Sequence, residues 1–248
     1  MVARTDNVAD PRIASGLLLA RRGQAYFSRK LNELADEEFD GPSLLPGWSR
    51  AHVAAHVGLN ARAITHLTEW AATGIETPMY STPTEREDDI EFAATLPIQA
   101  IRNLSAHAAV HLNVEWRDLS ENAWMHTIRT AQGRVMPVSE TVWMRTREVW
   151  VHAVDLNNGG SVSQFPPELI DLLLADVIAV WRRKRNAGEW NIALEPTDRA
   201  ETYVLDPDRP PANVRGTAAD LVAWAIGRGA HGAVSDNQGD APRAPVWL

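Results

Sequence analysis

Ser139-Glu140-Thr141-Val142-Trp143-Met144-Arg145-Thr146-Arg147-Glu148-Val149-Trp150-Val151-His152-Ala153-Val154-Asp155-Leu156 is the stretch on which the fold turns. Ser139 stands where an N-cap belongs, and about Glu140 to Leu156 reads as one long helix. Glu148 and His152 are four apart, so they project from one face with Cβ atoms about 5–6 Å apart. Trp143 and Trp150 show that this helix must bury a face. A lone core histidine is an ordinary finding, but a buried carboxylate needs a partner. Spacing alone leaves two readings level: an ion closed between carboxylate and imidazole, or structural hydrogen bonding. A histidine from another helix would complete the open three-ligand site that catalytic zinc uses. Asp155, three residues after His152, either accepts the second ring N–H of that histidine or stands solvated at the helix end.

Upstream, three more helices follow from periodicity. The first runs from about Pro11 to Glu37 on Ile13, Leu17, Ala20, Phe27, Leu31 and Leu34, with Gln24 its one polar interruption. Gly41-Pro42 and Pro46-Gly47 break the chain. The second runs from about Ser49 to Thr73 on Val53, Val57, Ile64, Leu67 and Ala71, and Gly74 ends it. Thr84 with Glu87 has the capping-box pattern, and the helix they open is interrupted near Pro97 and resumes through Leu119. Thr127 to Val138 reads as a short hairpin turning at Gln132-Gly133. The sum is an α-helical up-and-down four-helix bundle, a core that houses metal sites between facing helices.

The polar run Asn157-Asn158-Gly159-Gly160-Ser161 is the domain boundary, dividing residues 1–158 from 159–248. Beyond it, Ile170, Leu173, Leu174, Val177 and Trp181 make an amphipathic helix. Short β-like runs follow at Trp190–Leu194, Thr202–Leu205 and Asn213–Arg215, and Thr217 with Asp220 opens a helix through Ile226. The second part is a small α+β domain.

Among the remaining histidines, His52 and His56 are also four apart, and helix geometry does not choose between them as a third ligand. His66 lies about 21 Å along the axis from the first of them and cannot share its ion. His107, His111, His126 and His231 show no ligand spacing. Arg228 closes the last helix, as a dipole-compensating cation or as an anion clamp. The run Arg182-Arg183-Lys184-Arg185 likewise suits a helix C-terminus better than an RNA contact.

The 248 residues carry a net charge of −8, which argues against nucleic-acid binding. No apolar run spans a bilayer, and the N-terminus has no signal-peptide core. There is no cysteine, so nothing ties the chain to an oxidising compartment, and a cytoplasmic location is expected. Any sulfur nucleophile must come from outside the chain.

The run Leu44-Leu45-Pro46-Gly47-Trp48-Ser49-Arg50-Ala51-His52-Val53-Ala54-Ala55-His56-Val57 and the Glu148–His152 stretch resemble the mycothiol-dependent maleylpyruvate isomerase family. This is a branch of the DinB-like metal-binding four-helix proteins. Glu69-Trp70-Ala71, Thr77-Pro78-Met79-Tyr80, Ala225-Ile226-Gly227-Arg228-Gly229 and Trp247-Leu248 extend the likeness over the whole chain. The first ten or so residues and the stretch around Arg182 to Arg199 match poorly.

The resemblance implies zinc, or another divalent metal, held by His52, Glu148 and His152. It implies mycothiol as cofactor, Arg228 as a catalytic residue, and a C-terminal domain akin to a sterol-carrier fold. It further implies conversion of maleylpyruvate to fumarylpyruvate in the gentisate pathway. Adding a thiolate makes the cis double bond single, rotation follows, and elimination leaves the trans isomer. A metal-coordinated thiol is deprotonated outright, whereas a free thiol near pKa 8.5 is not. The implied partners are a small-molecule substrate and a low-molecular-weight thiol, with no membrane and no nucleic acid, and a monomer is compatible. Two other classes use the same residues: a thiol S-transferase or S-conjugate hydrolase, and a hydrophobic-ligand carrier with a structural metal.

Overall fold

The computed structural model describes residues 5–184, 190–229, 232–235 and 239–247. The chain divides into two compact units, Met1–Gly160 and Ser161–Leu248, so the break falls in the polar run that the sequence marks, two residues past 158.

The first unit is built from α1 (Pro11–Glu33), α2 (Arg50–Thr73), α3 (Glu85–Ala94), α4 (Ile98–Asp118), the hairpin β1 (Thr127–Arg129) and β2 (Val135–Pro137), and α5 (Glu140–Asp155). Asp10 caps α1 by accepting the Arg12 N–H, with Pro11 at the first helical position. The helix stops at Glu33 rather than Glu37, because Leu34 turns extended and is buried. Arg102 of α4 holds that end, donating to the carbonyls of Leu31 (2.8 Å) and Leu34 (2.7 Å). In α2, Ser49 Oγ accepts the His52 N–H, and Gly74 ends the helix at φ 75°, a conformation open to glycine.

Two expected caps are not formed. Thr84 is already helical, and the cap moves upstream, where Thr82 Oγ1 accepts the Glu85 N–H and the Glu85 carboxylate accepts from Ser81 and Thr82. Ser139 is also helical in φ and ψ and makes no side-chain cap. Pro97 separates α3 from α4, and its carbonyl takes the Ala100 and Ile101 N–H groups. The hairpin pairs Ile128 with Met136, both buried.

Contacts give each helix its direction. Gly16 meets Val142 and Gly23 meets Trp150, so α1 and α5 run together. Arg50 reaches the carbonyls of Leu156 and Asn157, and Arg145 reaches that of Val57, so α2 opposes α5. Arg21 bonds Asn113 while Arg102 bonds Leu31, so α4 opposes α1. The four long helices therefore run up, down, down, up. The return needed between α2 and α4 is made by α3, which packs on α2. The apolar core of Leu17, Ile64, Leu67, Leu112, Trp116, Trp124 and Val142 fills one end of the bundle.

The second unit has α6 (Pro167–Lys184), a four-stranded sheet and α7 (Ala218–Ala225). The sheet comprises β3 (Ile192–Pro196), β4 (Tyr203–Val204), β5 (Ala212–Gly216) and β6 (Val234–Ser235), in the order β4-β3-β5-β6. β3 and β5 pair in parallel, whereas β3 with β4 and β5 with β6 are antiparallel. Thr217 caps α7 as expected. Trp181 is the pivot, edge-on to Trp190 (5.8 Å) and Trp224 (5.9 Å). Its indole donates to the Pro245 carbonyl, that of Trp224 to Pro242, and that of Trp247 to Asp176. No helix among the described residues is long and apolar enough to cross a membrane.

Gly23 marks the tightest α1–α5 contact: a Cβ there would stand 2.5 Å from the Trp150 ring and 2.6 Å from Val149 Cγ2. That ring cannot retreat easily, being bonded to the Leu19 carbonyl and stacked on Tyr26. Alanine gains about 1 kcal/mol of helix propensity over glycine, and overpacking costs about 1–3 kcal/mol. Gly23→Ala should therefore be destabilising on balance, lowering the urea midpoint; an unchanged or raised midpoint would show that the contact is slack.

Candidate metal centre

At the end of the bundle away from that core, α2 and α5 bring three ligand-type side chains together. His56 Nε2 lies 3.0 Å from Glu148 Oε2, and His152 Nε2 lies 3.1 Å from the same oxygen. One ligand atom from each of the three residues falls within 4.8 Å of the others. The imidazoles of His56 and His152 meet edge-on at 4.8 Å, and Trp48 packs against His56 at 5.4 Å. Both histidine side chains are nearly enclosed, whereas that of Glu148 keeps 26% exposure, so the cluster opens on the carboxylate side.

The helix ends set this register. Arg50, at the start of α2, caps α5 through the Leu156 and Asn157 carbonyls, and the Leu44 N–H bonds the Asp155 carbonyl. With Arg50 level with Leu156, an antiparallel pair sets His56 level with Trp150, midway between Glu148 and His152. His52 falls level with Val154. It lies outside the cluster, its Nδ1 2.8 Å from Ser49 Oγ and its Nε2 3.5 Å from Glu91 of α3. Of the expected ligands, the structure thus joins Glu148 and His152 and seats His56, rather than His52, beside them. The missing signal was the helix register: without it, two histidines one turn apart on α2 are equivalent.

Asp155 is fully buried, and its Oδ2 lies 2.8 Å from His152 Nδ1, so it is the ring's partner and not a solvated acid. Three other histidines are engaged elsewhere, His66 with the Pro78 carbonyl, His126 with the Ala71 carbonyl and His111 with Glu115. Arg182 and Lys184 bind the carbonyls of Val204, Leu205 and Trp247 around the end of α6. Arg185 and His231 lie outside the described residues. In the second unit, Arg228 donates to the Ile226 carbonyl and lines a cleft of about 530 Å³ with Trp224, Arg243 and Trp247.

The electrostatics follow from the packing. Burial raises the Glu148 pKa, but hydrogen bonds from His152 and His56 and their charges outweigh it, holding the carboxyl well below its usual range. Burial lowers that of His152, yet the bonds to Asp155 and Glu148 push it up to about 9. In His56 burial wins over Glu148, and the pKa falls. The cluster therefore carries an anionic Glu148 and a cationic His152 at neutral pH. Its donor set, two imidazole nitrogens and a carboxylate oxygen, is one that holds divalent zinc.

Residues 20–157 match the family model described as the mycothiol maleylpyruvate isomerase N-terminal domain, and residues 164–245 match the MDMPI C-terminal domain. No curated protein matches the chain in sequence. A crystal structure of a mycothiol-dependent maleylpyruvate isomerase is similar at 40% identity and a TM-score of 0.89, over 95% of this chain and 97% of that one. A histidine-to-alanine mutant under the same name matches with the same figures.

An ion taken up at neutral pH must displace the His152 proton, because that group titrates only near pH 9. Zinc affinity should therefore climb about tenfold per pH unit between pH 6 and 8, with close to one proton released per ion. Titration calorimetry in buffers of different ionisation enthalpy measures both. A pH-independent affinity would mean that His152 keeps its proton.

Proposed function

The chain belongs to the mycothiol maleylpyruvate isomerase family, and from that membership we propose that it converts maleylpyruvate to fumarylpyruvate with mycothiol, at a divalent-metal centre of His56, Glu148 and His152. The convergence of those three side chains at the open end of the bundle carries the reading. Tetrahedral zinc, with bonds of about 2.0–2.1 Å, needs ligand atoms about 3.3 Å apart. The pairs at 3.0 and 3.1 Å stand close to that. His56 takes the place that the resemblance gives to His52.

Each residue then has a task. Asp155 accepts the Nδ1 proton of His152 and so leaves Nε2 to face the ion. Glu148 would offset part of the ion's charge on the side where the cluster opens. Three protein ligands leave a fourth position open. When bound, the ion supplies a Lewis acid that keeps a thiol sulfur deprotonated at neutral pH, as addition to a cis double bond requires. The chain has no cysteine to offer, so the sulfur arrives with the cofactor. Arg228 is assigned the charged oxygen of the adduct or a substrate carboxylate, both of which suit a guanidinium. A low-molecular-weight thiol must stay reduced to act, which favours the cytoplasm.

Metal-loaded protein should consume maleylpyruvate only when mycothiol is added, followed as loss of the cis substrate. Turnover without thiol would sink the scheme. Elemental analysis after dialysis should find metal in His52→Ala and none in His56→Ala; the reverse pattern would return His52 to the ligand set.

Arg228→Lys should fold and keep its metal yet lose about 10²–10³ in kcat, since lysine retains the charge without the planar fork. Near-normal turnover would leave Arg228 as a helix-end cation, worth only about 0.3–1 kcal/mol of stability.

A further inference from the structure

Two sequence features have no part in the scheme above: the polar Gln24 inside the apolar stripe of α1, and Arg145, one turn before Glu148. The structure joins them. Arg145 is 2% exposed, sealed within the bundle. Its Nη1 donates to the Val57 carbonyl (2.7 Å) and to Asn60 Oδ1 (2.9 Å), both on α2, and its Nη2 donates to Gln24 Oε1 of α1 (2.8 Å). Each of these acceptors is neutral, and the carboxylate of Glu148, one turn on, acts on the guanidinium through its charge without bonding it. Burial lowers the guanidinium pKa to about 10, so it is still charged at neutral pH.

Burying a cation against neutral acceptors is a poor route to stability, and apolar replacement of buried ionic groups is often neutral or stabilising. The placement of the bonds indicates what is gained instead. Val57 directly follows His56, and Asn60 lies on the next turn of α2. On α5, Arg145 sits three residues before Glu148. The planar fork of arginine fixes direction as well as distance, so these bonds define how far α2 can slide along α5 or turn about its own axis. Those are the two movements that would change the 3.0 Å between His56 and Glu148.

We propose that Arg145, braced by Gln24 and Asn60, is a positioning clamp that holds α2 and α5 in the register at which His56 and Glu148 can share one ion. The clamp rests on the metal reading above, but it concerns the geometry of the site and not the isomerisation.

The test replaces the polar pair with apolar side chains of similar size, Gln24→Leu with Arg145→Met. Three quantities are compared with the native protein: the melting temperature without metal, the zinc dissociation constant by chelator competition, and the visible spectrum of the cobalt-loaded site. The double variant should stay folded, with some loss of melting temperature because Asn60 Oδ1 and the Val57 carbonyl lose their donor, bind zinc about tenfold to a hundredfold more weakly, as changes behind a ligand shell commonly do, and show an altered cobalt band. Native affinity and spectrum in a folded variant would overturn the clamp. So would weaker binding that only tracks a loss of folded protein, with the cobalt band unchanged. Should the double variant fail to fold, Asn60→Ala removes one α2 anchor while leaving those at Val57 and Gln24, and is read in the same two ways. Native protein that takes up no zinc would overturn the metal reading first, and the clamp with it.

Discussion

Glu148 is an ionised carboxylate on the inner face of α5, and much of the bundle is arranged around the need to answer its charge. An unpartnered buried carboxylate would take up a proton. Here imidazoles from two helices converge on a single oxygen. That convergence requires α2 and α5 to run antiparallel in one register. The register is held where Arg50 closes the last carbonyls of α5, and Asp155 in turn fixes the far nitrogen of His152. The same arrangement that satisfies the carboxylate leaves a two-histidine, one-carboxylate donor set with an open side.

One large apolar cluster and the candidate metal centre stand towards opposite ends of the bundle. The apolar cluster spans Ala61 to Ala71 of α2, Ala108 to Trp116 of α4 and the start of α5. The ligands lie earlier on α2 and later on α5. Apolar side chains are buried around the charged cluster as well, Phe27, Phe39, Val53, Ile101 and Val149 among them, so burial stabilises both ends. In the second unit the tryptophans do related work. Three indole N–H groups tie the segment from Pro242 to Trp247 onto the helices without strand pairing there. Six of the ten tryptophans are buried in the two units together, so the abundance of this residue has a packing origin.

The sequence by itself determined what depends on neighbours along the chain. The 3.6-residue period located the long helices, and Ser49 and Gly74 bounded α2. The four-residue spacing put Glu148 and His152 on one face, since both sit on one rigid helix. What only the tertiary structure decided depends on groups far apart in sequence. Arg102 of α4 stops α1 short of Glu37. The register between α2 and α5 sets His56, and not His52, beside Glu148, a difference that one helix alone cannot show. Burial turns Asp155 from a solvated acid into the partner of His152, and the packing of α5 beside α1 turns Gln24 from an interruption of an apolar stripe into an anchor for Arg145. Periodicity reports which way a side chain points, and only the packing of one helix on another reports what it meets there.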